Sequence, residues 1–452
     1  MRVAGFLACV LLGGCADGDR VPLRGANGGP ANVLLVTVDT LRADHLGAYG
    51  YALPTSPAMD ALAAEGVRFT EAYTPVPTTA PALASMLTGV YLDEHGVREN
   101  SAELPERLAT LGEAFAAAGY DTAGFFGNGA IRYGFGQGLR VWEPFAPTFF
   151  FTDAAGVTRA IAWLESARSP WFLWIHFMDP HGPYSSSPSA RSASFRYPRD
   201  PALDVELPAG RANSVHRMIP QYQVLGPLRR VGDYVRRYDG EIAGTDEQIR
   251  RLRDALEARG TLDDTLIVLT ADHGESLGED GYYFQHGIVL NDASLRVPLV
   301  LRHPALPPGT RVEAPASLLD VMPTVLSLVG LPAPASGHGR DLTPVVFGAP
   351  AEPRTLVAYT VSGATQVAVR RDGWKLVGRV RRDDEAPPPR RLLRAAAGRE
   401  EDVDPSAHAA VAAELERELG VHANRGNPFA LAKPSVDPED RQRLRALGYL
   451  DD

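Results

Sequence analysis

Cysteine is almost missing from this sequence, and its scarcity limits the chemistry open to the protein. Only two cysteines occur in 452 residues, Cys9 and Cys15, and both lie within the first fifteen positions. A chain processed at that end keeps neither a free thiol nor a disulfide in its folded body. Its stability then depends on a buried core, for which a hydrophobic content of 45% is sufficient.

Excess positive charge and long apolar runs are also missing. The chain has 45 Lys and Arg against 55 Asp and Glu, which gives a net charge of -10 and a pI near 5.6. No basic stripe of the kind that binds nucleic acid or an anionic membrane surface is present, so neither partner is expected. Beyond the N-terminus no segment is apolar for long enough to cross a membrane.

The first fifteen residues have the features of an export signal. Arg2 precedes a short apolar run, which ends in small residues and in "LGGC" at positions 12–15. This tetrapeptide resembles a bacterial lipobox, which predicts cleavage before Cys15 and lipid on that cysteine; an ordinary or uncleaved signal is the alternative. The Gly-rich residues 16–31 would form a flexible tether. We therefore expect an exported protein, anchored by lipid to a bacterial membrane on its periplasmic or outer-membrane face.

Strand and helix patterns alternate along the rest of the chain. Continuous apolar runs predict buried strands at residues 32–39, 121–128, 171–179, 265–272 and 297–302. With helical patterns between them, they predict an α/β fold: a doubly wound, mostly parallel sheet with helices on both faces. The main domain is predicted at 32–350, with a Ser-, Pro- and Arg-rich insertion at 184–225. A small C-terminal α+β subdomain is predicted at 351–452.

Carboxylates and imidazoles gather where the predicted strands end, which is where doubly wound sheets bind ligands. The side chains concerned are Asp39, Asp179, Asp272, His181, His273 and His286. Such a mixture suits Zn²⁺ or Mn²⁺ better than Ca²⁺ or Mg²⁺, which prefer oxygen ligands. The pattern predicts the site of a metal-dependent hydrolase, and a set of unrelated turn residues is the alternative.

Several longer stretches resemble the sulfatase family of the alkaline phosphatase superfamily. In chain order they are "NVLLVTVDTLRADHLGAYGY", "TSPAMDALAAEGVRFTEAYTPVPTTAPALASMLTG", "HFMDPHGPY", "TADHGESLGEDGYYFQHG" and "SLLDVMPTVLSLVGL". The resemblance runs from about residue 30 to residue 345. It implies an alkaline phosphatase-like fold and an ester hydrolase that works with a divalent metal ion.

The chain departs from the sulfatases at the nucleophile. Sulfatases carry Cys-x-Pro-Ser-Arg or Ser-x-Pro-Ser-Arg there, and the first residue is oxidised to formylglycine; the matching stretch here is Thr79-Ala80-Pro81-Ala82-Leu83. Because Thr79 carries a methyl group on its β-carbon, oxidation would give a ketone and not an aldehyde. Many sulfatases also have a second aspartate where this chain has Thr40. The site thus resembles that of superfamily members with an unmodified threonine nucleophile.

Those threonine-type members imply a role for each matching residue. The metal ligands would be Asp39, Thr79, Asp272 and His273. Thr79 would attack the ester, His181 would contact the substrate, and His181 or His286 would assist departure of the alcohol. Asn128 is a candidate donor to a substrate oxygen or a turn residue, and Glu275 is a candidate support for the histidines. A helix beginning just beyond Thr79 would aim its N–H groups at an anionic substrate, unless Thr79 only caps that helix.

These observations predict a metal-dependent hydrolase of phosphate or sulfate esters in small molecules or glycans. Phosphoesters are favoured, because a threonine ester cannot expel sulfate by collapsing to an aldehyde. A sulfuric ester hydrolase and a catalytically decayed binding lipoprotein are the alternatives. The expected cofactor is a divalent ion, Zn²⁺ or Mn²⁺ before Ca²⁺ or Mg²⁺, and membrane contact is expected only through lipid on Cys15.

Overall fold

A mixed sheet of nine strands forms the body of the protein, and a second sheet follows it. The computed structural model describes residues 22–145, 153–184, 203–210, 216–334, 337–361, 366–379, 390–396, 398–423 and 442. The strands are, in chain order, β1 (Asn32–Val38), β2 (Val67–Tyr73), β3 (Asp121–Phe126), β4 (Val141–Pro144), β5 (Trp171–Phe177), β6 (Thr265–Ala271), β7 (Ser276–Leu277), β8 (Tyr283–Gln285), β9 (Arg296–Arg302), β10 (Thr310–Val312), β11 (Ala316–Ser317), β12 (Leu356–Tyr359), β13 (Gln366–Arg371), β14 (Trp374–Arg379), β15 (Arg391–Ala396) and β16 (Arg399–Val403).

The order across the large sheet is β10-β2-β9-β6-β1-β5-β3-β4, and β11 pairs with β2. Strand β1 runs parallel to both of its neighbours, β5 and β6. All seven residues of each of these three strands are buried, as expected for apolar runs in a sheet covered on both faces.

Helices pack around this sheet in two groups. They are α1 (Pro57–Glu65), α2 (Thr79–Thr88), α3 (Leu92–His95), α4 (Leu111–Ala117), α5 (Asp153–Ser166), α6 (Val231–Ala258), α7 (Asp292–Leu295), α8 (Val321–Val329), α9 (Thr343–Val346) and α10 (Ala409–Ala423). Helix α6 contacts both α1 and α5, whereas α2 contacts α3, α4 and α8. Short 3₁₀ turns occur at Ala43–His45, Gly47–Tyr49, Gly129–Ile131, Gln221–Gln223, Glu279–Gly281, Leu318–Asp320 and Pro405–His408.

The C-terminal sheet is an antiparallel meander of β12 to β16 in sequence order. Helix α10 packs on β13 and β14. Apolar residues of this sheet join a cluster with Val76, Tyr91 and Leu319 of the main body. Two cations of the sheet, Arg370 and Lys375, also pair with the buried Asp292 of α7, at 2.9 and 3.1 Å.

The carboxyl ends of the central strands meet at one edge of the large sheet. Val38 is in register with Phe177 of β5 and with Ala271 of β6. Asp39 and Asp272 come directly after these positions and therefore lie side by side. The β7–β8 hairpin follows β6 and carries the chain back toward the same edge.

The mostly parallel sheet predicted from the sequence is confirmed. Among its predicted strands, β9 runs antiparallel to both of its neighbours, β6 and β2. The predicted signal with Cys15, and residues 16–21 of the tether, lie outside the described residues, as do 185–202 and 211–215 of the predicted insertion. None of the helices in the described ranges combines the length and apolar content needed to cross a membrane.

Candidate active site and metal centre

Two buried aspartates form the centre of the site. Asp39 follows β1, Asp272 follows β6, and neither side chain is exposed. Asp39 Oδ2 accepts a hydrogen bond of 2.5 Å from Asn128 Nδ2. Asp272 Oδ1 accepts the backbone N–H groups of Thr40 and His273 at 3.2 and 2.8 Å. Asp272 Oδ2 has no hydrogen-bond partner among the described residues.

The two buried carboxyl groups of Asp39 and Asp272 are in an environment that would be stabilised by a cation. Burial raises the pKa of Asp39 well above its usual value, and the neighbouring Asp272 raises it further. Burial also raises the pKa of Asp272 to about 8. In the part of the chain that the structure describes, Asp272 contacts N–H groups and an imidazole but no lysine or arginine. A divalent cation between the two carboxylates would compensate their charge, so the residues present fit a metal ion.

His273 directs one ring nitrogen at the aspartates. Its Nδ1 is 2.9 Å from the carbonyl of Gly274, which can only accept, so Nδ1 carries the proton and Nε2 the lone pair. Nε2 lies 3.5 Å from Asp272 Oδ2, 3.7 Å from Asp39 Oδ1 and 3.4 Å from Thr79 Oγ1. The four predicted metal ligands, Asp39, Thr79, Asp272 and His273, therefore lie together.

Thr79 is the first residue of α2 and not its cap, which corrects the expected start of that helix. Thr78 holds the N-cap position, with an extended backbone and no side-chain capping bond. Thr79 Oγ1 instead lies 3.5 Å from Asp39 Oδ2. The N–H of Ala80 donates to Asn100 Oδ1 at 2.9 Å, so this N–H group does not point at a substrate as expected. The capping interpretation of Thr79 is therefore wrong.

His176 is a member of this cluster that the sequence interpretation missed. It lies within β5 and is fully buried. One donor atom each of Asp39, His176 and Asp272 lies within 4.8 Å of the other two. The available signal was a single imidazole in the apolar run "WFLWIHF", one strand position before the end of β5.

Glu275 and His286 form a second layer beside the metal ligands. The β7–β8 hairpin returns His286 so that its Nδ1 lies 3.1 Å from Glu275 Oε1, and Tyr184 donates to Glu275 Oε2 at 3.1 Å. Burial raises the pKa of Glu275 to about 8 and lowers the pKa of His286 well below its usual value. The ring centroids of His286 and His273 are 4.4 Å apart. The predicted return of His286 to the site is thus observed.

His181 lies on the other side of His286, with ring centroids 5.1 Å apart. Its Nδ1 is 2.7 Å from the carbonyl of Gly182, and burial lowers its pKa well below the usual value. Asn128 is a turn residue, which was the alternative interpretation of this position: its Oδ1 accepts a hydrogen bond from the N–H of Ala130 at 2.8 Å. Its amide also holds Asp39, and its role toward substrate stays a prediction.

The departures from the sulfatase pattern are visible as local contacts. Thr40 has a left-handed backbone with φ of 54°, and its Oγ1 donates to the carbonyl of Asp39 at 2.8 Å. Leu83 is fully buried in α2. Asp179, one of the carboxylates at the predicted strand ends, is not part of the metal-competent cluster found among the described residues, which consists of Asp39, His176 and Asp272.

Comparison with known proteins decides the family. The sulfatase family model matches residues 31–331. The chain belongs to the sulfatase family. A multifunctional alkaline phosphatase superfamily protein, PehA, of Trinickia caryophylli is 28% identical over 424 residues, with 73% of this chain and 79% of that protein covered. A choline-sulfatase of Rhizobium meliloti strain 1021 is 27% identical over 411 residues, with coverages of 77% and 78%.

Solved structures of sulfatase-like enzymes share the fold. A phosphonate monoester hydrolase of Agrobacterium radiobacter matches with a TM-score of 0.70 and 22% identity, covering 88% of this chain and 96% of that chain. The resemblance seen in the motifs is confirmed for the sulfatase family, and the protein is a sulfatase-like ester hydrolase of the alkaline phosphatase superfamily. Sulfatase-family enzymes generally use a divalent metal ion, and the Asp39–His176–Asp272 cluster fits one.

Proposed function

We propose that this protein is a metal-dependent hydrolase that uses unmodified Thr79 and cleaves phosphate esters in preference to sulfate esters. The observation that carries the proposal is the position of Thr79 Oγ1, 3.5 Å from Asp39 Oδ2 and 3.4 Å from His273 Nε2. A hydroxyl group between two side chains that we propose as metal ligands is suited to act as a nucleophile, and it is not used to cap α2.

The preference for phosphate follows from the chemistry of threonine. A formylglycine hydrate releases sulfate by collapsing to the aldehyde, a route that unmodified threonine does not have because its β-carbon carries only one hydroxyl group. A covalent threonine ester has to be cleaved by water instead. Because water can attack the phosphorus of a phosphothreonine, two displacements in succession give complete hydrolysis of a phosphoester.

The donor set supports a transition metal as the cofactor. Two carboxylates and an imidazole, Asp39, Asp272 and His273, would hold the ion together with Thr79 Oγ1, and such a mixture favours Zn²⁺ or Mn²⁺ over Ca²⁺ or Mg²⁺. When bound, the ion would lower the pKa of the hydroxyl group and offset the negative charge of the ester oxygens.

The chain's own side chains then carry the bond changes. Thr79 Oγ1 releases its proton to solvent and forms a bond to phosphorus, while the bond from phosphorus to the leaving alcohol breaks; the acid that protonates the alcohol later regains a proton from solvent. His286 gives the departing oxygen its proton, whereas His181, whose Nδ1–H is directed at the carbonyl of Gly182, contacts the substrate. Water then cleaves the Thr79 ester, which releases phosphate and returns the proton to the hydroxyl group.

The Glu275–His286 pair is built to supply that proton without a charged imidazole. Since burial raises the pKa of Glu275 to about 8 and lowers that of His286, the shared proton lies on the carboxyl group at neutral pH. Its transfer to Nδ1 of His286, 3.1 Å away, would accompany donation of the Nε2 proton to the alcohol.

A sulfuric ester hydrolase remains the second candidate, because the family model over residues 31–331 is that of the sulfatases. A decayed binding protein is disfavoured by the buried and convergent donor atoms of Asp39, His176 and Asp272. We further propose a small-molecule or glycan ester as the substrate, and an exported protein held at the membrane by lipid on Cys15, on the basis of the "LGGC" stretch.

The test is a side-by-side assay of detergent-purified protein with an aryl phosphate, an aryl phosphodiester and an aryl sulfate, before and after chelation. We expect phosphoester turnover that chelation abolishes and Mn²⁺ or Zn²⁺ restores. Turnover of the sulfate alone would contradict the phosphoester preference. Turnover of none of the three, with the metal bound, would favour the decayed protein.

A further inference from the structure

His176 lies in the middle of the sheet and points one nitrogen at the aspartates. Its strand, β5, runs between β1 and β3, and the side chain is fully buried. Its Nε2 has no hydrogen-bond partner among the described residues, although it lies 3.9 Å from Asp39 Oδ2. A buried polar atom without a partner is costly, so this nitrogen requires an explanation.

The neighbours of His176 fix its ring for such a role. Nδ1 lies 2.8 Å from Oγ1 of Thr37, which is opposite His176 in the β1–β5 register. That hydroxyl accepts Trp174 Nε1–H at 3.0 Å and donates to the carbonyl of Ile175 at 3.4 Å. When Thr37 gives its one proton to Ile175, Nδ1–H of His176 is the donor to Thr37 and the lone pair lies on Nε2, which is the tautomer that binds a metal ion. Metal-binding histidines are typically fixed in this way through their second nitrogen.

A second buried histidine shows what a purely structural one looks like in this protein. His95 is also fully buried, but both of its nitrogens are satisfied. The N–H of Val97 donates to Nδ1 at 3.0 Å, and Nε2 lies 3.0 Å from Ser85 Oγ. His176 differs from His95 in having one satisfied nitrogen and one that faces two carboxylates.

We propose that His176 is a ligand of the divalent ion at this site and supplies the donor that Thr40 does not. One donor atom each of Asp39, His176 and Asp272 lies within 4.8 Å of the other two. Atoms about 2.0–2.2 Å from one ion lie roughly 3–4 Å from each other, so a small contraction is sufficient. Thr40 Oγ1 is committed to the carbonyl of Asp39. An imidazole in place of a carboxylate favours Zn²⁺, Mn²⁺ or Co²⁺ over Ca²⁺.

This inference rests on the metal dependence in the proposed function, but its test does not use turnover. Chelator-stripped full-length protein is titrated with Co²⁺, followed by visible absorption, and with Mn²⁺ and Ca²⁺, followed by calorimetry. We expect His176→Gln to weaken Co²⁺ binding by about tenfold to a hundredfold and to change the visible spectrum of the bound Co²⁺. The matched control His95→Gln should leave both unchanged. His176→Asp should shift the preference from Mn²⁺ toward Ca²⁺.

If His176→Gln binds Co²⁺ with the affinity and spectrum of the wild-type protein, His176 is a core residue and the proposal is overturned. The proposal is also overturned if the wild-type protein binds no Co²⁺. Should His176→Gln fail to fold, Thr37→Val keeps the imidazole and removes the bond that orients it. It should then weaken Co²⁺ binding, and unchanged binding overturns the proposal. If His176 proves to be a ligand but no ester is hydrolysed, the proposed function fails and this inference stands.

Discussion

Replacing Thr79 with alanine separates a nucleophile from a structural residue, because the expected loss of stability is small. The change deletes one fully buried methyl group, which costs about 1 kcal/mol. The two contacts of Oγ1, at 3.4 and 3.5 Å, are too long to be strong hydrogen bonds. Alanine is the better helix former by roughly 0.5 kcal/mol. The free energy of unfolding should therefore fall by about 1 kcal/mol or less, and the fold should survive.

The effect on turnover should be far larger. Loss of a covalent nucleophile removes about four or more orders of magnitude in rate, which corresponds to about 5 kcal/mol or more in the activation barrier. The assay measures kcat/KM with an aryl phosphate beside a thermal melt of the same sample. Intact-mass spectrometry should show ordinary threonine in the resting protein. It should show a phosphate adduct at Thr79 when turnover is trapped by acid.

Two further variants make this prediction specific. Thr79→Ser keeps the hydroxyl group and loses the methyl group that restricts its rotamer, so part of the activity should remain. Thr78→Ala changes the adjacent threonine, whose side chain makes no capping bond, and should leave turnover close to the wild-type rate. Near-normal activity in Thr79→Ala would refute the reasoning, because the reaction would then need a nucleophile other than Thr79.

Three other outcomes follow from the site and the N-terminus. Burial raises the pKa of Asp39 and raises that of Asp272 to about 8. In protein freed of metal by a chelator, the two protonated carboxyl groups therefore contribute fully to the stability of the fold only below pH about 4, the pKa of the unfolded chain. This contribution is lost as the pH rises toward 8. The melting temperature in chelator should fall over that range, less so in Asp272→Asn and with Mn²⁺ present; a rising midpoint would contradict this. Glu275→Gln should slow the hydrolysis of esters with poor leaving alcohols more than that of aryl esters. An equal loss of rate for both would contradict the proposed proton transfer from Glu275 to His286. Cys15→Ser should release the protein from the membrane fraction or block its processing, and an unchanged detergent-dependent fraction would exclude the lipid anchor.

The large sheet could be predicted because its central strands are buried on both faces. Such strands appear in the sequence as unbroken apolar runs, and β1, β5 and β6 were located to within two residues. Strand direction has no comparable signal, since β9 is as apolar as the mutually parallel strands β1, β5 and β6 yet runs antiparallel to β6. Strand β2 escaped prediction because polar residues interrupt its buried positions.

The candidate site divides in the same way. Asp39 and Asp272 could be found because each closes an apolar run, and His286 because a short hairpin after Asp272 returns the chain. His176 could not, because a histidine inside a buried strand is usually a hydrogen-bonded core residue. Only the placement of β5 beside β1 shows that its Nε2 faces Asp39. The order of strands in a sheet is a tertiary property, so sequence patterns miss a residue such as His176, which lies near Asp39 only because β5 pairs with β1.

The proposed donor set also accounts for the use of a plain hydroxyl group. Asp39 and Asp272 together carry two negative charges, which a divalent ion balances, while His273 and His176 add none as neutral imidazoles; burial lowers the pKa of His176 to about 3. A third carboxylate, such as the second aspartate of many sulfatases, would place another negative charge beside Thr79 Oγ1 and oppose the loss of its proton. The hydroxyl group of threonine is a weaker acid than the formylglycine hydrate of the sulfatases, so a neutral ligand in place of a carboxylate favours the loss of its proton more. In the proposed site, Thr40 in place of the second aspartate, the imidazole of His176 and the threonine nucleophile would thus be three parts of one electrostatic arrangement.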